Sequence, residues 1–208
     1  MRYAQPLQVS APADGRKTIR GNIVFVRPIA ANEWRLYRSL RLRALRESPD
    51  AFASTYECEA IRSDDDWEAR ISAAATSTGA QAFFAFHHGE PCGLVWCKSS
   101  EAEPDVVDVF QMWVDPVSRG IGAGRALLAS AIDWAESRGV QRVRLGVTIA
   151  HTPAMHLYRT SGFCDIGLPE PLRLGCTLKS QSMELSLVPA LVLIARLVVS
   201  VVGRRAGV

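Results

Sequence analysis

The stretch Val114-Asp115-Pro116-Val117-Ser118-Arg119-Gly120-Ile121-Gly122-Ala123-Gly124-Arg125-Ala126-Leu127-Leu128 decides how this chain is read. An apolar strand, Val109 to Val114, runs into a short turn. Glycines follow at alternate positions, and then an amphipathic helix begins. A loop of this kind leaves several backbone N–H groups without partners at the positive end of a helix dipole. Glycine lets a large ligand approach the backbone, and a pyrophosphate suits the charge. Arg119 adds a full positive charge on the same turn. The competing reading is a strand-to-helix turn whose glycines serve packing alone.

The spacing excludes two common phosphate loops. A dinucleotide fingerprint begun at Gly120 needs glycine at position 125, where Arg125 stands. The next strand, Arg142 to Val147, also lacks the acidic residue that would hold a ribose. No G-x-x-x-x-G-K-[ST] run exists. What remains is Arg-x-x-Gly-x-Gly, carried by Arg119, Gly122 and Gly124. A second segment, His151-Thr152-Pro153-Ala154-Met155-His156-Leu157-Tyr158-Arg159-Thr160-Ser161-Gly162-Phe163, reads as a short helix. Thr152 is its N-cap, Pro153 its first residue and Gly162 its stop. A third stretch, nearer the start, runs Ile23-Val24-Phe25-Val26-Arg27-Pro28 as a strand and Trp34 to Arg46 as a basic amphipathic helix. Glu47-Ser48-Pro49-Asp50-Ala51-Phe52-Ala53-Ser54-Thr55-Tyr56-Glu57 follows it.

Together these segments resemble the GCN5-related N-acetyltransferase (GNAT) superfamily, bacterial type, over about residues 20–188. Arg119, Gly122 and Gly124 resemble its acetyl-CoA pyrophosphate loop. Ala154, Leu157, Tyr158, Gly162 and Phe163 match its later motif Asn-x-x-Ala-x-x-Leu-Tyr-x-x-x-Gly-Phe, with His151 standing where the family has asparagine. The resemblance implies an α/β (α+β) fold: a mixed, mostly antiparallel central sheet of about six to seven strands flanked by about four helices. It implies acetyl-CoA as co-substrate and a primary amine as acceptor. The cofactor contacts it implies are Met112, Trp113 and Val114 through the strand backbone, the loop Arg119, Gly120, Ile121, Gly122, Ala123, Gly124 and Arg125, and also His151 and Tyr158.

Acetyl transfer needs a held thioester, a neutral amine, a donor for the carbonyl oxygen and a proton for the leaving sulfur. Resemblance places the Tyr158 hydroxyl near that sulfur as general acid; the plainer reading is a packed aromatic. Asp108 interrupts the apolar run Val106-Val107-Asp108-Val109-Phe110, where a carboxylate is unexpected. It falls where several superfamily members carry a proton-accepting glutamate, and is the candidate base. The alternative is an aspartate on the outer face of a half-buried strand. Asp105 reads as solvated. The resemblance makes residues 48–62 the acceptor wall, with Phe52, Tyr56 and Glu57 as lining residues. Charge sign alone suggests Glu57 or Glu59 as the group that attracts an ammonium.

Composition narrows the rest. With 208 residues and 48% apolar content, the chain is expected to form one domain with a substantial core. A net charge of +3 without a clustered basic face argues against nucleic acid as a partner. The cysteines (Cys58, Cys92, Cys97, Cys164, Cys176) are odd in number and lack C-x-x-C spacing, so reduced, buried thiols and no structural metal are expected. His87 and His88 fall on a hairpin turn and are expected at the surface. Residues 1–18 read as a flexible polar arm without a secretory h-region, and 19–188 as the catalytic domain. The apolar extension 189–208 is expected to pack on the domain or on a second copy, membrane contact being the lesser reading. Cytoplasmic location and a monomer or homodimer are expected. A non-catalytic acyl-CoA-binding regulatory module is the competing function.

Overall fold

The computed structural model describes residues 24–149 and 153–187. The arm 1–18, the extension 189–208, His151 and the N-cap Thr152 lie outside the described residues. The strands are β1 Val24–Pro28, β2 Ala80–His87, β3 Glu90–Ser99, β4 Val106–Val114, β5 Arg142–Thr148, β6 Cys164–Pro171 and β7 Lys179–Ser186. The α-helices are α1 Trp34–Glu47, α2 Tyr56–Ala60, α3 Asp64–Thr76, α4 Ala123–Ser137 and α5 Pro153–Thr160. One seven-stranded sheet runs in the order β1-β2-β3-β4-β5-β7-β6. Among the described residues only the β4–β5 pair is parallel, because α4 connects these strands as a crossover. The expected α/β class and mostly antiparallel sheet are present, with one more short helix, α2, within residues 48–62.

Each sheet face has its own core. Val107, Val109, Val143 and Leu145 meet Leu127, Leu128, Ala131 and Ala135 of α4 on one side. On the other, Tyr37, Leu40 and Leu45 of α1 and Trp67 and Ile71 of α3 cover Phe84, Leu94 and Trp96. The acidic start of α3 is a capping box: Ser63 Oγ accepts from the Asp66 N–H at 3.1 Å, and Asp66 accepts from the Ser63 N–H at 3.2 Å. Its buried residues are Trp67, Ile71 and Ala74, the face that helical spacing predicts. The thiols divide: Cys92 and Cys97 are buried in β3, but Cys58 and Cys164 are exposed, contrary to the expectation for the set. Cys58 lies on α2 and Cys164 opens β6, whose residues are mostly exposed. As expected, His88 is exposed at the β2–β3 turn, while His87 is half-buried.

Among the described residues, no helix is long and apolar enough to cross a membrane. The α1-side core also contains an ion pair. Arg41 on α1 and Glu59 on α2 are 1% and 2% exposed, and Arg41 Nη2 donates to Glu59 Oε1 at 2.7 Å. Arg41 Nε shares both Glu59 oxygens at 3.2 Å, and the guanidinium lies 4.6 Å from the Phe52 ring centroid. Glu59 therefore cannot be the exposed ammonium attractor that charge sign suggested; its charge is spent holding α2 on α1. A buried guanidinium without its partner is strongly unfavourable, so Glu59→Ala is expected to lower unfolding free energy by about 3–5 kcal/mol. Urea denaturation measures this; a loss of only about 1 kcal/mol, the value of an exposed pair, would show that the pair is solvated.

Candidate active site

The loop forms in steps. β4 ends at Val114, and the buried Asp115 accepts from the Val117 N–H at 3.3 Å. Asp115 also pairs with Arg43 of α1. Pro116–Ser118 make one 3-10 turn. Gly120 and Gly122 then take φ of 79° and 93°, a region that side chains resist. Gly122 is the N-cap of α4 and has no side chain to satisfy the first turn. Among the described residues, the N–H groups of 120–125 have no protein acceptor, while Ala126 N–H begins the ladder on Gly122 O. These donors, together with the helix dipole, make an anion cradle. Gly124 differs from the other two: a Cβ there would meet Leu157 Cδ2 at 3.5 Å and Met112 Cε at 3.6 Å, ordinary contacts.

Beside the cradle, the sheet opens. β4 and β5 pair only from Val106 to Val109 against Arg142 to Leu145, although both strands continue. Opposite β3, Phe110 faces Trp96 and Trp113 faces Leu94, so β4 carries one residue too many across that interval. This is a β-bulge. Gln111 takes φ of 56°, rare for a residue with a side chain, and its Oε1 accepts from Tyr37 Oη at 2.5 Å. The bulge reverses the alternation of β4. Val107 and Val109 face α4 before it, Met112 and Val114 face α4 after it, and Phe110 and Trp113 join the other core. The backbone of 112–114 thus borders a gap between two parallel strands.

Tyr158 on α5 reaches the same place. Its ring is 6% exposed, and its hydroxyl lies 3.7 Å from Met112 Sδ, a weak sulfur acceptor. Burial pushes the phenol up to about 12, so it stays protonated at neutral pH. Met112, Gly124, Leu157 and Tyr158 therefore form one contiguous cluster. Asp108 lies before the bulge, half-buried, with Lys98 of β3 and Arg144 of β5 opposite it in the registers. Its carboxyl is raised chiefly by burial, against the pull of Arg144 and Lys98. Arg144 is already engaged by Glu103 at 2.6 Å and Glu184 at 3.3 Å. Among the described residues, no hydrogen bond reaches the Asp108 side chain and none links it to Tyr158. Asp105 is not simply solvated: it takes hydrogen bonds from Arg142 at 3.0–3.2 Å, which hold its carboxyl below the usual range.

The segment that follows α1 is pinned to the β5 side at residues 49–52. Thr148 Oγ1, at the end of β5, donates to Asp50 O at 2.6 Å. Arg173, between β6 and β7, donates from Nη1 to Pro49 O and Phe52 O, both at 3.0 Å. Phe52 is buried, Tyr56 is half-buried with its hydroxyl bonded to Arg46, and Glu57 is exposed. Arg119 does not stand free on its turn: Nε donates to Val114 O at 3.0 Å and Nη2 to Glu47 Oε2 at 2.7 Å. Arg125 is exposed. Sequence reading missed Glu47, Tyr37 and Gln111. No local pattern marks them, since each acts through partners distant in sequence.

The family model for the acetyltransferase (GNAT) family matches residues 42–163. The mycothiol acetyltransferase of Thermobispora bispora is 31% identical over 129 residues, 60% of this chain and 41% of that protein. The streptothricin acetyltransferase of Streptomyces lavendulae is 44% identical over 62 residues, 30% of this chain and 33% of that protein. The chain therefore spans less than half the length of either relative. Among solved structures, a GNAT-family acetyltransferase from Streptococcus pneumoniae matches with a TM-score of 0.67 at 21% identity, covering 80% of this chain and 100% of that one. The structure of yncA from Salmonella typhimurium with its cofactor acetyl-CoA matches with a TM-score of 0.66 at 19% identity, covering 79% and 94%. These two likenesses concern the fold.

The surroundings of Asp108 have a consequence that needs no ligand. A carboxyl raised in the folded state stabilises the fold below its ordinary pKa, and that contribution is lost as pH rises through the folded value. Asp108→Asn is therefore expected to raise the melting temperature around pH 7 and to leave it unchanged around pH 3.5. Thermal melts at the two pH values test this; a destabilised variant at neutral pH would mean that Lys98 and Arg144 outweigh burial.

Proposed function

The chain belongs to the acetyltransferase (GNAT) family, and from that premise we propose that it transfers the acetyl group of acetyl-CoA to a primary amine by direct attack on the thioester. The observation that carries this reading is the juxtaposition of the unpartnered N–H groups of 120–125 with the β4–β5 gap and the buried Tyr158 hydroxyl. The cradle suits a diphosphate, the gap suits an extended pantetheine arm, and Tyr158 faces the place where its sulfur would lie. Backbone groups of Met112, Trp113 and Val114 border that gap and are proposed to align the arm, with the Met112 side chain as the sulfur-bearing neighbour that moves aside. Val114 O already accepts one hydrogen bond from Arg119 Nε, which ties the strand end to the turn.

In the chemical step the amine nitrogen forms a bond to the acetyl carbon, the C–S bond breaks, and the electron pair leaves on sulfur. The surplus proton on nitrogen passes to Asp108, directly or through a water. Its raised pKa makes Asp108 a stronger base than an ordinary aspartate. Tyr158 has a different task from full proton transfer. A phenol near 12 is a weaker acid than a thiol of about 8.5, so its hydroxyl donates a hydrogen bond that stabilises charge building on sulfur. Phe52, Tyr56 and Glu57 are proposed to shape the amine side, with Glu57 the exposed acid there. Free thiols at Cys92 and Cys97 fit a reducing compartment, and the cytoplasm is the proposed location.

An amine panel assayed with acetyl-CoA, with released CoA thiol as the readout, tests the proposal directly. Stoichiometric CoA binding with no thiol release on any amine would favour a regulatory acyl-CoA-binding module instead. With an active amine in hand, Tyr158→Phe is expected to lower kcat roughly 10- to 100-fold while changing the KM for acetyl-CoA less than about threefold. Because the phenol stays protonated up to about 12, wild type and Tyr158→Phe should share the same profile shape through pH 10. An alkaline loss below pH 10 that disappears in the phenylalanine variant would contradict this role.

A further inference from the structure

Glu47, the last residue of α1, joins three parts of the molecule through one carboxylate. Its Oε2 accepts from Trp113 Nε1 at 3.0 Å and from Arg119 Nη2 at 2.7 Å, and the Ser48 hydroxyl also donates to it. Burial works against the ionised form, but these donors prevail and hold the carboxyl below its usual range. Trp113 is 5% exposed and packed in the α1-side core, so the acceptor atom is anchored against a rigid ring. One turn earlier on α1, Arg43 pairs with Asp115. Helix α1 therefore grips both ends of the 115–119 turn that leads into the anion cradle. Ser48 meanwhile opens the segment proposed as the amine wall.

We propose that Glu47 is a positioning residue for acetyl-CoA: it fixes Arg119 so that the guanidinium's remaining edge serves the diphosphate. The inference rests on the acetyl-transfer reading above. Arg119 Nε is held by Val114 O and Nη2 by Glu47, which leaves Nη1 without a protein partner among the described residues. Arginine presents its donors as a rigid planar fork, so fixing two nitrogens fixes the direction of the third. A half-exposed ion pair adds little to stability by itself. Its value lies in ordering a flexible side chain before the ligand arrives, and pre-ordering appears as affinity rather than as turnover.

The test compares wild type, Glu47→Gln, Arg119→Ala and the double variant in steady-state kinetics and in calorimetry with CoA. Glutamine retains an acceptor for Trp113 but removes the charge that orients Arg119. Glu47→Gln is expected to raise the KM for acetyl-CoA roughly tenfold with kcat within about twofold, and the double variant to be no worse than Arg119→Ala alone. With S-acetylpantetheine, a donor that lacks the diphosphate, Glu47→Gln should match wild type. A merely structural role would depress both donors alike and would overturn the proposal. So would additive effects in the double variant, or tighter CoA binding by Glu47→Gln, which would make Glu47 a competitor of the diphosphate. If Glu47→Gln does not fold, Arg119→Lys serves: it keeps the charge but cannot span Val114 O and Glu47, and an unchanged KM would be equally fatal. Wild-type protein that takes up no CoA would instead remove the acetyl-transfer reading itself.

Discussion

The parting of β4 from β5 is the constraint on which the rest of this structure depends. Two parallel strands that share a ladder from Val106 to Val109 cease to pair where β4 meets its bulge. One residue, Gln111, is placed in the left-handed region, and everything after it is turned over. Met112 and Val114 thereby face α4 and Trp113 faces α1. Without that inversion, Met112 would not meet Tyr158 and Trp113 would not reach Glu47. A strained backbone of this kind persists only when its surroundings fix it. Here the Tyr37 hydroxyl, in the middle of an aromatic cluster with Trp67 and Trp96, holds the Gln111 side chain.

The α1-side layer is more polar inside than its helical pattern suggests. Arg41 and Glu59 are both buried, Arg43 and Glu47 hold the two ends of the 115–119 turn through Asp115 and Arg119, and Arg46 holds Tyr56. The basic helix read from sequence as having a water-facing side is thus also a bracket between the proposed acyl-donor and amine sides. Its charges act by geometry more than by energy, since most of these pairs are partly exposed and weak one by one. What they contribute is a fixed distance between a loop of backbone donors and the segment that follows α1.

Much of the fold was legible. Asp105 to Val114 and Arg142 to Thr148 read as strands, and Ala126, Leu127, Ala131, Ile132, Trp134 and Ala135 as the inner face of α4, because periodicity is a local property; the strand starts at Val106, and of that face Leu127, Ala131 and Ala135 are buried while Ala126, Ile132 and Trp134 are half-buried. The acidic start of α3, Ser63-Asp64-Asp65-Asp66, and its inner face of Trp67, Ile71 and Ala74 were readable for the same reason; the capping box itself is seen in the structure. The glycine loop was legible as chemistry, since the left-handed turns at Gly120 and Gly122 add exposed donors to those that any helix start leaves free. Other features were not legible. Glu59 looked like a surface acid until α2 packed it under Arg41, and Asp105 looked solvated until β5 brought Arg142 beside it. Arg119 looked free, but Glu47 stands 72 positions away in sequence.

The sequence by itself determined the main strands and helices, their order and the glycine-rich turn between β4 and α4, because propensity, capping and glycine conformation act within a few residues. The tertiary structure decided which way each functional group points and what charge it feels. The bulge at Gln111 arises from the mismatch between β3 and β4, the raised phenol of Tyr158 from burial, and the tether of Arg119 from the end of α1. Those are effects of neighbours brought together by folding, and pair distances across the chain are not written in any local pattern.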